Sequence, residues 1–184
     1  MISKGAGPIR AGKLRVAIFM TGGTIAKSYD PKTAQLYNFE LMVKLLVDEL
    51  RTDDLQLTFF DLMHKDSLEI GADERHYIVE QVGAAVRRYD AIIITHGTDK
   101  LPDTAQDLYD AIDSPAVPVI FTGSMVPYTI MGSDARQNMT EALLAIRLVP
   151  AGIYIVFHNR ILTVPDIRKN HETMTFEGTS DGEN

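Results

Sequence analysis

Thr24, Thr98, Asp99 and Lys169 carry the side chains best suited to covalent chemistry on an acyl group. A threonine hydroxyl is a poor nucleophile at neutral pH and needs an adjacent base, or a cation that stabilises its alkoxide. In His96-Gly97-Thr98-Asp99 the threonine is followed directly by a carboxylate, and Lys169 can bring an ammonium to the same place. Thr24 ends the turn Thr21-Gly22-Gly23-Thr24, whose two glycines let the backbone come close to a ligand and aim N–H groups at it. Both stretches also have structural readings. Glycine turns after strands are more often structural than catalytic, and Asp99 suits the cap of a following helix while His96 bonds within the sheet. Neither a phosphate-binding P-loop nor the G-x-G-x-x-G dinucleotide pattern is present. His64, His76, His96, His158 and His171 form no pair at metal-ligand spacing on one helix, so no metal site is expected. The chain has no cysteine, which excludes disulfides, thiolate metal sites and a cysteine nucleophile.

Buried strands must hold these turns. Residues 16–20 are an uninterrupted apolar run, as expected for a strand covered on both faces in a parallel sheet. Residues 55–63 read as a second strand ending in His64-Lys65-Asp66-Ser67, and residues 89–95 as a third running into His96. Residues 118–122 read as a fourth ending in Gly123-Ser124, and 152–157 as a fifth with a short partner at 160–164. Helical spacing predicts helices over 39–50, 73–88, 102–112 and 133–148. The first should bury Met42, Leu45, Leu46 and Leu50; the second should bury Tyr77, Ile78, Val82 and Val86, with Arg87 and Arg88 in its last turn. Residues 26–38, with Asp30-Pro31 and both Tyr29 and Tyr37, read as a mobile surface loop. The alternation predicts a three-layer α/β domain with a mainly parallel sheet flanked by helices. Ligands bind at the carboxyl ends of such strands. There the reading collects Thr24, Ser67, Thr98, Asp99 and Ser124, with Lys169 arriving from the last loop.

At 184 residues and 45% hydrophobic content, the chain is long enough for one well-buried domain and short for two. Residues 1–184 are therefore read as one domain, with a flexible lead over 1–12 and a fraying tail over 178–184. A net charge of -7 repels polyanions, so a small soluble ligand is expected rather than nucleic acid or an anionic membrane. Residues 1–13 lack the apolar core of a secretory signal, and no stretch approaches the roughly 18 apolar residues of a spanning helix. The expected compartment is the cytoplasm.

Taken together, TGGTIA at 21–26 and HGTD at 96–99, each after a buried strand, closely resemble the two signature motifs of the bacterial-type L-asparaginases and their glutaminase-asparaginase relatives. The likeness extends through GSMVP at 123–127, SDARQN at 133–138 and Lys169, covering roughly residues 13–176. It implies a flavodoxin-like domain similar to the asparaginase N-terminal domain. It also implies that Thr24 is the primary nucleophile, assisted by Tyr37 rather than Tyr29, and that Thr98 is the second catalytic threonine, partnered by Lys169. Asp99 would contact the substrate's amino group, Ser67 its α-carboxylate, and Ser124 would line the amide pocket. In the implied mechanism Thr24 attacks the side-chain amide carbon of asparagine, and backbone N–H groups near Gly23 and Thr98 hold the oxyanion, with Gly97 counted among the substrate-binding residues. Ammonia leaves, and water activated through Thr98 and Lys169 releases aspartate without metal or organic cofactor.

The resemblance carries departures as well. Longer members have a second, smaller domain that gives an acidic residue to a neighbouring subunit's site; this chain reads as a short single-domain form, with that acid unassigned. Leu68 follows Ser67 where many members have a polar residue, which predicts a weaker grip on the substrate's α-amino and carboxylate groups. The family sheet contains a left-handed crossover, so the usual handedness rule does not predict strand order here. A homo-oligomer, dimer or tetramer, is implied. Two alternatives stay open: a glutaminase or amidase acting on a larger amidated substrate, and a non-catalytic module that binds asparagine or aspartate.

Overall fold

The computed structural model describes residues 12–179 apart from 40 and 113. Most of the expected flexible lead and of the fraying tail lies outside the described residues. In chain order the elements are β1 (Leu14–Gly22), β2 (Lys27–Asp30), β3 (Gln35–Asn38), α1 (Leu41–Asp48), β4 (Leu55–Lys65), α2 (Ala72–Ala85) and β5 (Ala91–Thr95). They continue with α3 (Leu101–Ala111), β6 (Pro118–Thr122), α4 (Ala135–Leu148), β7 (Gly152–Phe157), β8 (Arg160–Thr163), β9 (Ile167–Asn170) and β10 (Thr175–Gly178). Single 3-10 turns follow β1 at Thr24–Ala26 and β4 at Ser67–Glu69.

Six strands form one sheet in the order β4-β1-β5-β6-β7-β8, parallel except for β8 at the edge. Side chains alternate across it. On β1, Ala17 and Phe19 join the apolar layer built with α2 and α3, against Ile78, Val82, Leu101 and Leu108. Val16, Ile18 and Met20 join the opposite layer, with Val43 and Leu46 of α1 and Met139 and Ile146 of α4. Covering both faces explains why the central strands are continuous apolar runs. The placement of helices also reverses one crossover. The steps β5 to β6 and β6 to β7 run the same way across the sheet, yet α3 and α4 lie on opposite faces, so these two connections have opposite hands. Such a reversal is what the family resemblance implied.

Several expectations need correction. Residues 26–38 are no loop: β2 and β3 pair antiparallel as a hairpin. Asp30 builds its turn, accepting at Oδ1 from the Lys32 N–H (2.9 Å) and at Oδ2 from the Thr33 hydroxyl (3.2 Å), while its carbonyl accepts from Ala34. Both strands are short and largely polar, so no apolar alternation announced them. Tyr37 pairs with Ser28 and Tyr29 with Leu36, which sends the two tyrosines to opposite faces of the ribbon. A second hairpin, β9–β10, carries Lys169 on a strand rather than a loop. α1 buries Val43, Leu46 and Val47, leaving Leu45 exposed, because a helix apolar nearly all round offers more than one stripe and docking selects among them. In α2 the buried set is Ile78, Val79, Val82 and Ala85; Tyr77 faces out, and the helix stops before Arg87 and Arg88.

Candidate active site

The β1–β4 register carries the first turn into place. Met20 pairs with Asp61 but Gly22 pairs with Lys65, so β4 accommodates two extra residues in a bulge, and the Gly23 N–H donates to the Lys65 carbonyl at 2.9 Å. Gly22 and Gly23 have φ of 95° and 77°, the left-handed region that glycine enters freely. Space forbids a side chain there as well. A Cβ on Gly23 would sit 2.4 Å from the Gly97 Cα, and a Cβ on Gly97 would sit 2.5 Å from the Ser67 Cβ. Three turns, after β1, β4 and β5, therefore touch backbone to backbone, and their next residues include Thr24 and Thr98. Ile25 and Ala26 anchor the Thr24 turn in the core. Thr24 itself is half-buried, and its hydroxyl makes no hydrogen bond among the described residues. Thr21 does the supporting work: its hydroxyl donates to the Thr95 carbonyl at 3.0 Å, tying β1 to β5.

Lys169 completes the second turn. Its ammonium donates to Thr98 Oγ1 at 2.8 Å and to Asp99 Oδ1 at 2.7 Å, with the lysine side chain only 8% exposed. The hairpin holds it there because Lys169 pairs with Phe176, which is fully buried edge-on against Phe157 at 5.0 Å. With Thr98 Oγ1 accepting from the lysine, its own proton is directed elsewhere. A cation at that distance stabilises developing negative charge on the oxygen.

Ser67 and His96 brace this turn. The Ser67 hydroxyl donates to the Gly97 carbonyl and accepts from the Lys100 N–H, both at 2.7 Å. His96 is fully buried, and burial pushes its pKa down to about 4, so the ring is neutral. Nδ1 lies 2.8 Å from the Gly97 carbonyl and must donate, which leaves Nε2 to accept from the Thr104 hydroxyl at 2.9 Å. The structural reading of His96 is the one the geometry supports.

Around Ser124 the chain uses residues that motif reading did not assign. The Ser124 hydroxyl donates to the Val126 carbonyl at 2.7 Å. Asp134 accepts from the N–H groups of Met125 and Val126 at 3.0 Å, from Asn138 Nδ2 at 2.9 Å and from His158 Nε2 at 2.8 Å. Burial alone would raise this carboxyl, but the two backbone donors and His158 outweigh it and hold its pKa below the usual range. Asn138 Nδ2 also donates to the Gly123 carbonyl at 2.9 Å. The only local signal was an acidic residue just before a helix, which reads as a cap and hides the long-range partner.

Two predicted features are not brought together. Tyr37 is 42% exposed and its hydroxyl donates to Gln35 Oε1 at 2.8 Å, so it does not meet Thr24; Tyr29 is exposed on the other face. The Gly23 N–H is occupied by Lys65, which removes it as an oxyanion donor, whereas the N–H groups of Thr24 and Thr98 have no backbone acceptor among the described residues. No group of three or more His, Asp or Glu residues fit to hold a metal ion occurs among the described residues, nor is any helix there long and apolar enough to cross a membrane.

Residues 15–181 match the family model described as "Asparaginase, N-terminal". The chain is 35% identical over 161 residues to the L-asparaginase of Thermococcus kodakarensis, covering 86% of this chain and 48% of that protein. It is 28% identical over 156 residues to L-asparaginase 1 of Escherichia coli K12, covering 81% and 45%. The solved structure of the thermostable L-asparaginase from T. kodakarensis superposes with a TM-score of 0.82 at 32% identity, over 89% of this chain and 51% of that one. For L-asparaginase I from Vibrio cholerae the TM-score is 0.79 at 25% identity, over 91% and 52%. The chain spans about half the length of the curated relatives it matches. By a family match that runs through nearly every described residue, this chain belongs to the asparaginase family and corresponds to its N-terminal domain.

Proposed function

We propose that the protein hydrolyses the side-chain amide of L-asparagine to L-aspartate and ammonia through an acyl-enzyme on Thr24. The observation that carries this reading is Lys169 bonded to both Thr98 and Asp99, on a turn packed backbone to backbone against the Thr24 turn. The Thr24 oxygen bonds to the amide carbon while the Thr24 proton passes to the departing nitrogen, and the carbon–nitrogen bond breaks to release ammonia. The N–H groups of Thr24 and Thr98 receive the oxyanion. Water, deprotonated through Thr98 with Lys169 behind it, then splits the ester and returns the proton to Thr24. Asp99 gives Oδ1 to Lys169 and keeps Oδ2 for the substrate's ammonium. Ser67 takes the α-carboxylate by turning its proton away from the Gly97 carbonyl, and Gly23, Gly97 and Ser124 shape the pocket. Tyr37 assists Thr24 once its hydroxyl leaves Gln35. The scheme calls on neither metal nor organic cofactor.

Pure protein should release ammonia from asparagine, and both Thr24→Ala and Thr98→Ala should lower kcat by several powers of ten. Undiminished turnover in both variants would sink the assignment, and tight aspartate binding without turnover would make it a binding module. A second reading, a preference for glutamine or a larger amide, is favoured by Leu68, which is 77% exposed beside Ser67 and offers the substrate no polar group. Paired rates on asparagine and glutamine decide. The proposal includes a cytoplasmic homo-oligomer; a neighbour of the same fold from Campylobacter jejuni is named a probable cytoplasmic L-asparaginase, while a Haemophilus influenzae relative is named a probable periplasmic one. Fractionation and light scattering test these two points.

A further inference from the structure

One carboxylate outside the described machinery touches the neighbours of three of its members. Asp66 Oδ1 accepts from Lys27 Nζ at 2.8 Å and from Asn38 Nδ2 at 3.1 Å. Lys27 lies three residues after Thr24 across a single 3-10 turn, Asn38 directly follows Tyr37, and Asp66 directly precedes Ser67. Lys27 and Asn38 are themselves paired across the open end of the β2–β3 hairpin. Asp66 thus fastens that end, from which both strands leave, onto the Ser67 turn.

The neighbouring geometry bears on this contact from both sides. Asn38 buries its Oδ1 with no hydrogen-bond partner among the described residues, a state that ordinarily costs about 1–3 kcal/mol. A flip of the amide would aim Oδ1 at the Asp66 carboxylate, so the amide keeps Nδ2 on Asp66 and leaves its oxygen unpaired. The Ser67 turn is rigid on its own account: the Asp66 N–H donates to Glu69 Oε2 at 2.9 Å, while the Glu69 N–H returns to the Asp66 carbonyl at 2.9 Å. Ser67 is buried against Gly97. A fixed anchor therefore holds a polar hairpin most of whose remaining residues, Tyr29, Leu36 and Tyr37 among them, are exposed.

We infer that Asp66 is a positioning residue for the proposed amide hydrolysis: through Lys27 and Asn38 it fixes the base of the hairpin against the Ser67 turn, the base from which Tyr37 must turn away from Gln35 to assist Thr24. The inference rests on the reading of Thr24, Tyr37 and Ser67 given above. Loss of the anchor lets the hairpin swing while the Lys169 group stays in place. A displacement of about 1 Å at a reacting group costs about 100-fold in rate, so kcat should fall about 10- to 100-fold in Asp66→Ala with KM changed less than threefold. Lys27→Met should reproduce much of that loss, and the double variant should fall little below Asp66→Ala, since both act through one contact. Asp66→Asn, which keeps an acceptor for Lys27, should recover part of the rate.

The test has two arms, each run on the whole chain. Rates on asparagine are measured for the four variants beside wild type, with far-UV circular dichroism and thermal unfolding as controls for folding. In parallel, hydrogen exchange of amides 27–38 and proteolytic nicking at residues 31–34 are followed without substrate. Faster exchange and nicking confined to the hairpin in Asp66→Ala and Lys27→Met, together with the kcat loss and non-additivity, is the expected result. Unchanged hairpin protection overturns the inference, as do rates within twofold of wild type or strictly additive losses. If wild type releases no ammonia, the proposed function fails by that result alone, and the exchange arm still decides whether Asp66 holds the hairpin.

Discussion

Acidification should destabilise this fold before its carboxylates begin to titrate, through His96. The folded ring takes a proton only near pH 4, whereas an unperturbed histidine does so near 6.5. A depressed histidine binds fewer protons folded than unfolded, so its neutral form supports the fold fully above about pH 6.5, and that support drains as pH falls toward 4. The full effect is about 3 kcal/mol, from about 1.4 kcal/mol per unit; about 2 kcal/mol of it should be lost between about pH 7.5 and 5. Against a total stability of about 5–15 kcal/mol this is large. Asp134, Glu49, Glu74 and Glu177 have lowered pKa values and lose their contributions only as pH drops below their ordinary values of 3.8 and 4.5, outside that window. Urea unfolding at several pH values, on wild type and His96→Gln, measures the slope directly. The variant is expected to be weaker at neutral pH, with the pH-dependent loss largely removed. An identical slope in both proteins would refute the idea that the buried, Gly97-bonded ring is what acid attacks.

Gly23→Ala places a methyl 2.4 Å from the Gly97 Cα at a φ of 77°, so about 2–4 kcal/mol of stability and most of the activity should be lost; thermal unfolding and ammonia release report the two effects. Asp134→Ala strips acceptors from the Met125 and Val126 N–H groups and from Asn138, and is expected to cost about 2–4 kcal/mol, with Asp134→Asn costing less. Chemical denaturation distinguishes the pair, and equal losses would show that the charge, rather than the acceptor oxygens, matters.

Both strands and helices of the central domain were legible because burial on two faces demands long apolar runs, as in residues 91–95 and 118–122. The β2–β3 and β9–β10 hairpins were not legible, since strands such as Lys27-Ser28-Tyr29-Asp30 and Ile167-Arg168-Lys169-Asn170 lack an apolar face and owe their pairing to turn geometry and to anchors elsewhere. Within the site, Thr98, Asp99 and Lys169 were named together from residue chemistry, and the tertiary contact of Lys169 with both supports that grouping. Tyr37 is the instructive opposite case: its residue type and motif position name it, but β-ribbon geometry turns its hydroxyl to Gln35.

By itself, then, the sequence determined the alternating α/β plan and the two threonine turns, because apolar periodicity and glycine-bearing motifs are local properties of the chain. Tertiary structure alone decided which polar groups meet. Asp66 reaches Asn38 across 28 positions, Asp134 reaches His158 across 24, and Lys169 reaches Thr98 across 71. Those meetings depend on the β4 bulge and on glycines that let three turns touch. No spacing along the chain encodes a contact set by the register of neighbouring strands and by the room left between their ends.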